Sequence, residues 1–581
     1  MKENKTMMLG NAAIARGLYE AGCRFVSSYP GTPSTEITKH AAEYEEVYAE
    51  WAVNEKVGLE AALGASIAGA RAFCGMKHVG LNVAADALFS ASYTGVNGGL
   101  VVAVADDAGM HSSQDEQDSR HFAIFAKVPM LEPSSSGECL EFTKFAFDFS
   151  EEFNAPVLVR LGTRICHSNG IVTTGERKDV PLKDYKKDIA KYVMMPAFAR
   201  GAHVVVEKRF DDLQAYAEKC PLNVITRDKK HPQKGGLGII SAGISYAYAK
   251  EAFGEDASYL KLGLVNPLPD TMLKNFVESC DRVIVIEELD GIIEKHCKAL
   301  GLKVEGKNML PIIGEYSQEI IRECVFGEKS SFKKLDEAML PTRPPVLCPG
   351  CSHRGVFHVL NRLGLMVSGD IGCYTLGALA PLSAMDTCLC MGAAVSALHG
   401  FDMVRKGKDK IRSIAVIGDS TFMHSGITGL IDITYNNGNS KILVLDNITT
   451  GMTGGQHNPA TGVTLKNEPS YLVKVEDIAK ACGVKNIAIV DAYDIEECER
   501  VISEEMDKDG VSVIIARRPC ALNTPKAPAK TVDQAGCNGC KLCLKIACPA
   551  LKVEGGKASI NEFACFGCGV CAKLCKRGAI K

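Results

Sequence analysis

The chain has 581 residues, enough for three or four domains, with 46% apolar and 23% charged residues and a formal net charge of −3. No Lys/Arg run offers nucleic acid a basic patch, and no apolar stretch is long enough to span a bilayer. The first residues lack the continuous apolar segment of a signal sequence, so a cytoplasmic location is expected rather than export. There are 24 cysteines. In a reducing compartment clustered cysteines read as ligands, while scattered ones such as Cys23, Cys74, Cys139, Cys280, Cys297 and Cys482 read as small apolar core residues.

Short β-branched runs alternate with longer amphipathic or Ala/Gly-rich stretches along most of the chain. Strands are predicted at Gly99–Asp107, Ala155–Gly162, Leu237–Gly243, Asp281–Glu288, Arg412–Ser420, Lys441–Asn447 and Val511–Arg518. Near-continuous apolar runs of this kind are buried parallel strands, and their alternation with helices predicts an α/β chain of doubly wound domains. Proline-rich stretches at Leu340–Gly350 and Ala521–Lys530 break the pattern, and a softer change falls near Met195–His203. The expected units are 1–200, 201–335, 340–522 and a cysteine-rich tail, 530–581.

In the tail, Cys537, Cys540 and Cys543 are followed by Cys548-Pro549, and Cys565, Cys568 and Cys571 by Cys575; the triplets repeat with an offset of 28 residues. This duplication resembles the two-cluster bacterial ferredoxin. The resemblance implies that each triplet holds one 4Fe–4S cluster and each fourth cysteine crosses to the other. One cluster would take Cys537, Cys540, Cys543 and Cys575, the other Cys565, Cys568, Cys571 and Cys548. The tail departs from the family in having four residues rather than three between Cys543 and Cys548. Two tetrahedral zinc sites are the alternative. So small a segment has little core of its own, so metal binding is expected to fold it. Its task would be one-electron transfer, with electrons supplied elsewhere in the chain.

In the third unit, Gly418-Asp419 ends one predicted strand and Asp446-Asn447 another, with 29 residues from Gly418 to Asn447. This resembles the thiamine diphosphate motif, which begins Gly-Asp-Gly and ends in Asn near that distance; Ser420 stands where the motif has its last Gly. The resemblance implies Mg2+ held by the Asp419 carboxylate, the Asn447 amide oxygen and the Thr449 backbone carbonyl, along with diphosphate oxygens. Gly418, Ser420, Gly372 and Tyr374 would line the cofactor. Thr453–Gln456 would offer exposed amides to the diphosphate. A strand-end Asp of an ordinary doubly wound fold is the plainer reading.

The aminopyrimidine of that cofactor needs a glutamate from another domain, and Glu55, opening a Gly/Ala-rich helix, fits the role by resemblance. A carboxylate favoured in any first helical turn is the bland alternative. The stretches Tyr29–Glu36, Met76–Leu88 and Asp106–Ala123 are similar to the 2-oxoacid:ferredoxin oxidoreductase family, and the likeness runs over essentially the whole chain. It is nearest to the large subunit of the branch acting on aromatic 2-oxoacids. The unit from about 201 to 330 resembles that family's transketolase C-terminal-type domain. In relatives the Thr of the Tyr-Pro-x-Thr-Pro turn, here Thr32, touches the substrate. The arginine used by relatives acting on pyruvate has no placeable equivalent.

In two-subunit members of the family the thiamine domain carries four cysteines that match Cys348, Cys351, Cys373 and Cys520 in kind and order. They would hold a third 4Fe–4S cluster; zinc or unligated core cysteines are the alternatives. The family resemblance implies oxidative decarboxylation of aromatic 2-oxoacids such as indolepyruvate and phenylpyruvate. Coenzyme A would take the acyl group, an external ferredoxin the electrons, and a smaller β subunit would complete an α2β2 assembly. A 2-oxoacid enzyme of other substrate range, a non-redox thiamine decarboxylase or lyase, and a pure electron-transfer protein are the rival readings.

Overall fold

The runs Leu100–Asp106, Val157–Gly162, Ser413–Gly418 and Lys441–Asp446 are strands in which nearly every residue is buried, as parallel strands covered by helices on both faces must be. They belong to a computed structural model that describes residues 4–329, 339–341, 344–405, 407 and 411–581. All seven predicted strands occur, each within two residues of its expected ends. The chain divides into two compact units, Met1–Glu337 and Ala338–Lys581.

The first unit is built on a seven-stranded sheet. Its strands, in spatial order, are Leu264–Asn266, Met130–Leu131, Val157–Gly162, Leu100–Asp106, Ala72–Lys77, Phe25–Ser28 and Tyr48–Trp51. Every pairing is parallel except that of the edge strand Leu264–Asn266, which runs antiparallel to Met130–Leu131. A four-stranded sheet, Arg282–Ile286, Leu237–Ala242, Ser258–Leu262 and Val224–Thr226, lies in the same unit.

The expected boundary at 200/201 falls inside the helix Pro196–Ala217. Within that helix the buried Arg209 donates to the carbonyls of Ser92 (2.8 Å) and Asn154 (3.0 Å). One apolar core runs through both stretches, from Leu81 and Val102 to Ile240, Leu260 and Phe276. Arg120, 1% exposed, is a second tie. Its guanidinium meets Asp118 and Glu287 at 2.6 Å each and donates to the carbonyls of Glu288 and Asp290. Burial opposes its charge, but Asp118 and Glu287 outweigh burial and hold it protonated.

The second unit carries six strands, all parallel, in the order Thr387–Cys388, Met366–Gly369, Ser413–Gly418, Lys441–Asp446, Ser512–Arg517 and Asn486–Asp491. The tail adds a hairpin, Leu551–Glu554 with Lys557–Ile560. Gly555 and Gly556 turn it at φ +56° and +80°, values that a two-residue turn of this hand requires. The tail has no separate core: Ile546, Ala558, Val570 and Ile580 pack into the cluster that holds Val356, Leu360 and Ile495. No described helix is long and apolar enough to cross a membrane.

Replacing Arg120 with Met leaves Asp118 and Glu287 buried without their partner. Loss of one member of such a network costs about 3–5 kcal/mol. The denaturant midpoint of the Arg120→Met protein is expected to fall accordingly; an unchanged midpoint would show that the network does not bind the two halves of the first unit.

Candidate functional site

In open α/β sheets, ligands sit beyond the carboxyl ends of the strands, and Glu55, Thr32, Asp419 and Asn447 lie at such ends. Glu55 is 5% exposed and opens the helix Glu55–Ile67 just after the strand Tyr48–Trp51. Asn54 caps this helix, its side-chain oxygen accepting from the Val57 amide at 2.9 Å. Gly80 faces the glutamate so closely that an added Cβ would stand 2.6 Å from its Cγ and 2.7 Å from Oε1. The Cys74 thiol is pushed up by burial first and by the Glu55 carboxylate second.

Thr32 is half-buried in the turn after the strand Phe25–Ser28. An added Cβ on the preceding Gly31 would come within 3.2 Å of Lys77 Cβ. The turn and Glu55 therefore approach the same place, the end of the strand Ala72–Lys77 and the start of the helix His78–Thr94.

Sequence reasoning missed two residues there. Lys77 is buried, and its Nζ donates to Ser112 O at 2.6 Å. Burial lowers its pKa, with Asp107 and Asp115 opposing. His78 is fully buried, with Nε2 3.2 Å from Asp115 Oδ1 and Nδ1 without a hydrogen-bond partner. The signal was a Lys-His pair at a strand's carboxyl end, inside a stretch singled out only for its likeness.

In the second unit, the pairing of Ser413–Gly418 with Lys441–Asp446 sets Gly418 opposite Leu445. Asp419 and Asn447 follow side by side. The Asn447 side-chain oxygen lies 3.0 Å from Asp419 Oδ1 and 2.9 Å from Thr449 O. Three acceptor oxygens at these separations repel unless a positive group sits among them. Either the amide is reversed to present its NH2, or a cation binds. An octahedron with bonds of about 2.1 Å has neighbouring ligands about 3 Å apart, so the residues present fit Mg2+.

Nearby charge agrees with that fit. Asp419 is 2% exposed, and burial first and Asp446 second raise its pKa to about 7. Asp446 Oδ1 is buried with no donor, while its Oδ2 accepts from Arg517 Nε at 2.7 Å. The departure at Ser420 has a structural reason: its hydroxyl meets Thr450 Oγ1 at 2.9 Å and joins the two strand-end loops.

Tyr374 is packed between Gly372 and Gly418, where an added Cβ would come within 2.4 and 2.7 Å of its ring. Its hydroxyl donates to Ile371 O, so the ring supports the loops from beneath. The exposed amides expected at Thr453–Gln456 need correction. Those of Gly454 and Gly455 donate to Gly451 O and Thr450 O, closing a tight turn on itself.

The cysteine sets come together. Cys537, Cys540, Cys543 and Cys575 line one pocket in the tail, with Lys541 and Arg577 at its wall. The Cys571 and Cys568 thiols both lie in the fields of Cys548 and Cys565. Backbone amides of Gly567 and Lys530 donate to Cys565 Sγ, and that of Ala579 to Cys575 Sγ. Such bonds favour an anionic, metal-bound sulfur. Cys373 feels Cys520 and Cys348, and Cys351 feels Cys373 and Cys348. All 24 cysteines are free thiols, and among the described residues no three His, Cys, Asp or Glu side chains close on a point as around a single ion.

Comparison with known proteins agrees with these two thiamine-type edges. Residues 16–211 match the family model described as pyruvate flavodoxin/ferredoxin oxidoreductase, thiamine diphosphate-binding, and residues 370–516 the C-terminal binding domain of thiamine pyrophosphate enzymes. Fold and site thus define a thiamine-dependent oxidoreductase of the 2-oxoacid:ferredoxin class. The indolepyruvate oxidoreductase subunits IorA of Archaeoglobus fulgidus and Pyrococcus horikoshii are 40% and 39% identical, each over 99% of this chain and 97% of their own length. The chain belongs to the indolepyruvate oxidoreductase subunit IorA family.

The 2-oxoglutarate synthase subunit KorA of Methanothermobacter marburgensis is 25% identical over 52% of this chain and 93% of its own. A solved 2-oxoglutarate:ferredoxin oxidoreductase from Magnetococcus marinus is matched at 19% identity and a TM-score of 0.47, over 55% of this chain and 64% of that one; this likeness is slight.

The contact between Gly80 and Glu55 is open to test. A methyl group at Gly80 must displace the glutamate side chain, and small misplacements of a positioning group cost up to about 100-fold in rate. Gly80→Ala is expected to lower thiamine-dependent turnover by about 10- to 100-fold with the circular dichroism spectrum unchanged. Turnover equal to wild type would remove Glu55 from the site.

Proposed function

We propose that this chain is the catalytic subunit of an enzyme that oxidatively decarboxylates aromatic 2-oxoacids such as indolepyruvate and phenylpyruvate. Coenzyme A takes the acyl group as a thioester, carbon dioxide leaves, and two electrons pass one at a time to an external ferredoxin. The observation that carries this reading is the placing of the Asn447 side-chain amide 3.0 Å from Asp419 Oδ1 and 2.9 Å from Thr449 O at adjacent strand ends, which brings together the donor set a magnesium site requires. Thiamine diphosphate, when bound, supplies the nucleophilic carbon and the electron sink.

The chain's own residues do the rest. Asp419, Asn447 and the Thr449 carbonyl would hold Mg2+ beside the diphosphate, with Gly418 and Ser420 shaping the loop. Glu55 would accept a hydrogen bond from the bound aminopyrimidine and so favour the tautomer that activates it. Thr32 contacts the substrate at its carboxylate or keto end. Cys348, Cys351, Cys373 and Cys520 would hold one 4Fe–4S cluster, and Cys548, Cys565, Cys568 and Cys571 and Cys537, Cys540, Cys543 and Cys575 would hold two in the tail; when bound, these groups would supply one-electron carriers. The relatives are named as subunits, which supports a smaller β subunit completing an α2β2 assembly.

Two experiments test this. Glu55→Gln and Asp419→Ala, purified without oxygen together with the β subunit, are expected to lose turnover with every 2-oxoacid while keeping their iron and visible spectrum. Normal turnover in either would refute the assigned roles, and acyl-coenzyme A formation without ferredoxin reduction would favour a non-redox thiamine enzyme. Iron analysis of the wild-type chain is expected to give about twelve atoms with equal sulfide, as three four-iron clusters require. About eight would leave the Cys348 set without a cluster, and zinc in its place would remove it from the electron path.

A further inference from the structure

Arg354 sits in the first turn of the helix His353–Leu363 and is 2% exposed. Its guanidinium donates to four backbone carbonyls. Two belong to Leu347 and Cys348, the latter at 3.0 Å, and two to Ile546 and Ala547, the former at 3.0 Å. The first pair reaches into the Cys348–Cys351 loop, and the second ends immediately before Cys548. Gly350, inside the first loop, also meets Tyr493 and the tail's Phe566. The Tyr493 hydroxyl donates to Gly350 O at 2.5 Å, and the Phe566 side chain lies against Gly350, where an added Cβ would be 2.5 Å away.

Among the described residues no carboxylate is paired with this cation. Burial pulls its pKa down, and the groups that oppose burial are the cysteines Cys548, Cys351, Cys348 and Cys568. The other buried arginines are compensated. Arg120 has Asp118 and Glu287, Arg160 has Asp106 and Glu132, and Arg71 has Glu151 and Asp148. Arg209 meets the Ser92 hydroxyl and the carbonyls of Ser92 and Asn154, which stand at the carboxyl ends of the helices His78–Thr94 and Ser136–Phe153, where the helix dipole is negative. Arg354 has the opposite surroundings, a helix amino end whose dipole disfavours a cation. An isolated buried charge is costly, and here the neighbours able to offset it are two sets of thiolates carrying anionic clusters.

We propose that Arg354 is the electrostatic junction between the Cys348/Cys351/Cys373/Cys520 cluster and the Cys548/Cys565/Cys568/Cys571 cluster, a positioning residue whose charge stabilises the reduced state of both. One electron crosses from the first, which is oxidised, to the second, which is reduced, and Arg354 exchanges nothing. Its fork also fixes the separation of the two loops that carry Cys348 and Cys548. This inference rests on the cluster assignments made above, and iron and sulfide analysis reads those separately from the role of Arg354.

The test is a redox titration followed by electron paramagnetic resonance on the full chain with its β subunit. Arg354→Gln with full iron is expected to develop its reduced-cluster signals at lower potential than wild type, and Arg354→Lys to return close to wild type. Wild-type potentials in a fully loaded Gln variant, or a Lys variant displaced as far as Gln, would overturn the proposal and leave Arg354 a loop fastener. Should the Gln variant fail to retain iron, the Lys variant decides. Full iron with wild-type potential upholds the role of charge, and full iron with a displaced potential refutes it.

Discussion

The arrangement of the second unit follows from a repulsion. Ser413–Gly418 and Lys441–Asp446 run parallel in a register that ends both strands together. Their carboxyl ends bring two buried carboxylates, Asp419 and Asp446, into each other's field, and set the Asn447 and Thr449 oxygens against the first. Arg517 neutralises part of this by meeting Asp446 on one oxygen, and Asn458 donates to Asp419 on another. The Asn447 amide stands 3.0 Å from Asp419 Oδ1 and 2.9 Å from Thr449 O, where either its NH2 or a bound cation relieves the crowding of acceptors. A fold that holds acceptors in contact spends stability to do so, and a dication would return it. The Tyr374 ring beneath Gly372 and Gly418 keeps the loops from relaxing apart.

What the sequence made legible was local. The β-branched runs are strands because each is long enough to be buried on both faces, so composition within six or seven residues sufficed. The cysteine triplets come together because their spacing is itself a short loop around a cavity. Gly418-Asp419 and Asn447 could be paired because their spacing resembles the thiamine diphosphate motif, and it also suits adjacent parallel strands, which lie about one crossover apart in sequence.

What was not legible depends on distant partners. The division at 200/201 looked plausible from composition, yet Arg120 is bound to Glu287, 167 residues away, and a helix runs through the division. Lys77 and His78 gain meaning only when the loop carrying Ser112 and Asp115 folds over them. The turn at Thr453–Gln456 shows a different limit. Glycines that permit exposed amides equally permit a turn that consumes them, and only the positions of Gly451 and Thr450 decide which occurs.

The second unit also holds uncompensated charge of both signs, and the two cases illuminate each other. Around Asp419 negative groups exceed positive ones at a strand edge; around Arg354 a cation lies at a helix amino end among cysteines. A core selected for stability alone would replace either with apolar side chains at little cost. Retaining both makes sense if each is balanced by a species of opposite charge, a dication at the first and thiolate-bound clusters at the second. The tail then has a reason to share its core with the thiamine-type sheet rather than stand alone. Ile546 and Val570 are buried with Val356 and Leu360, so the carbonyls of Ile546 and Ala547 stay within reach of Arg354. A tail on a free linker could not hold the two cysteine sets at a fixed separation, and electron transfer between clusters held there would depend on that separation.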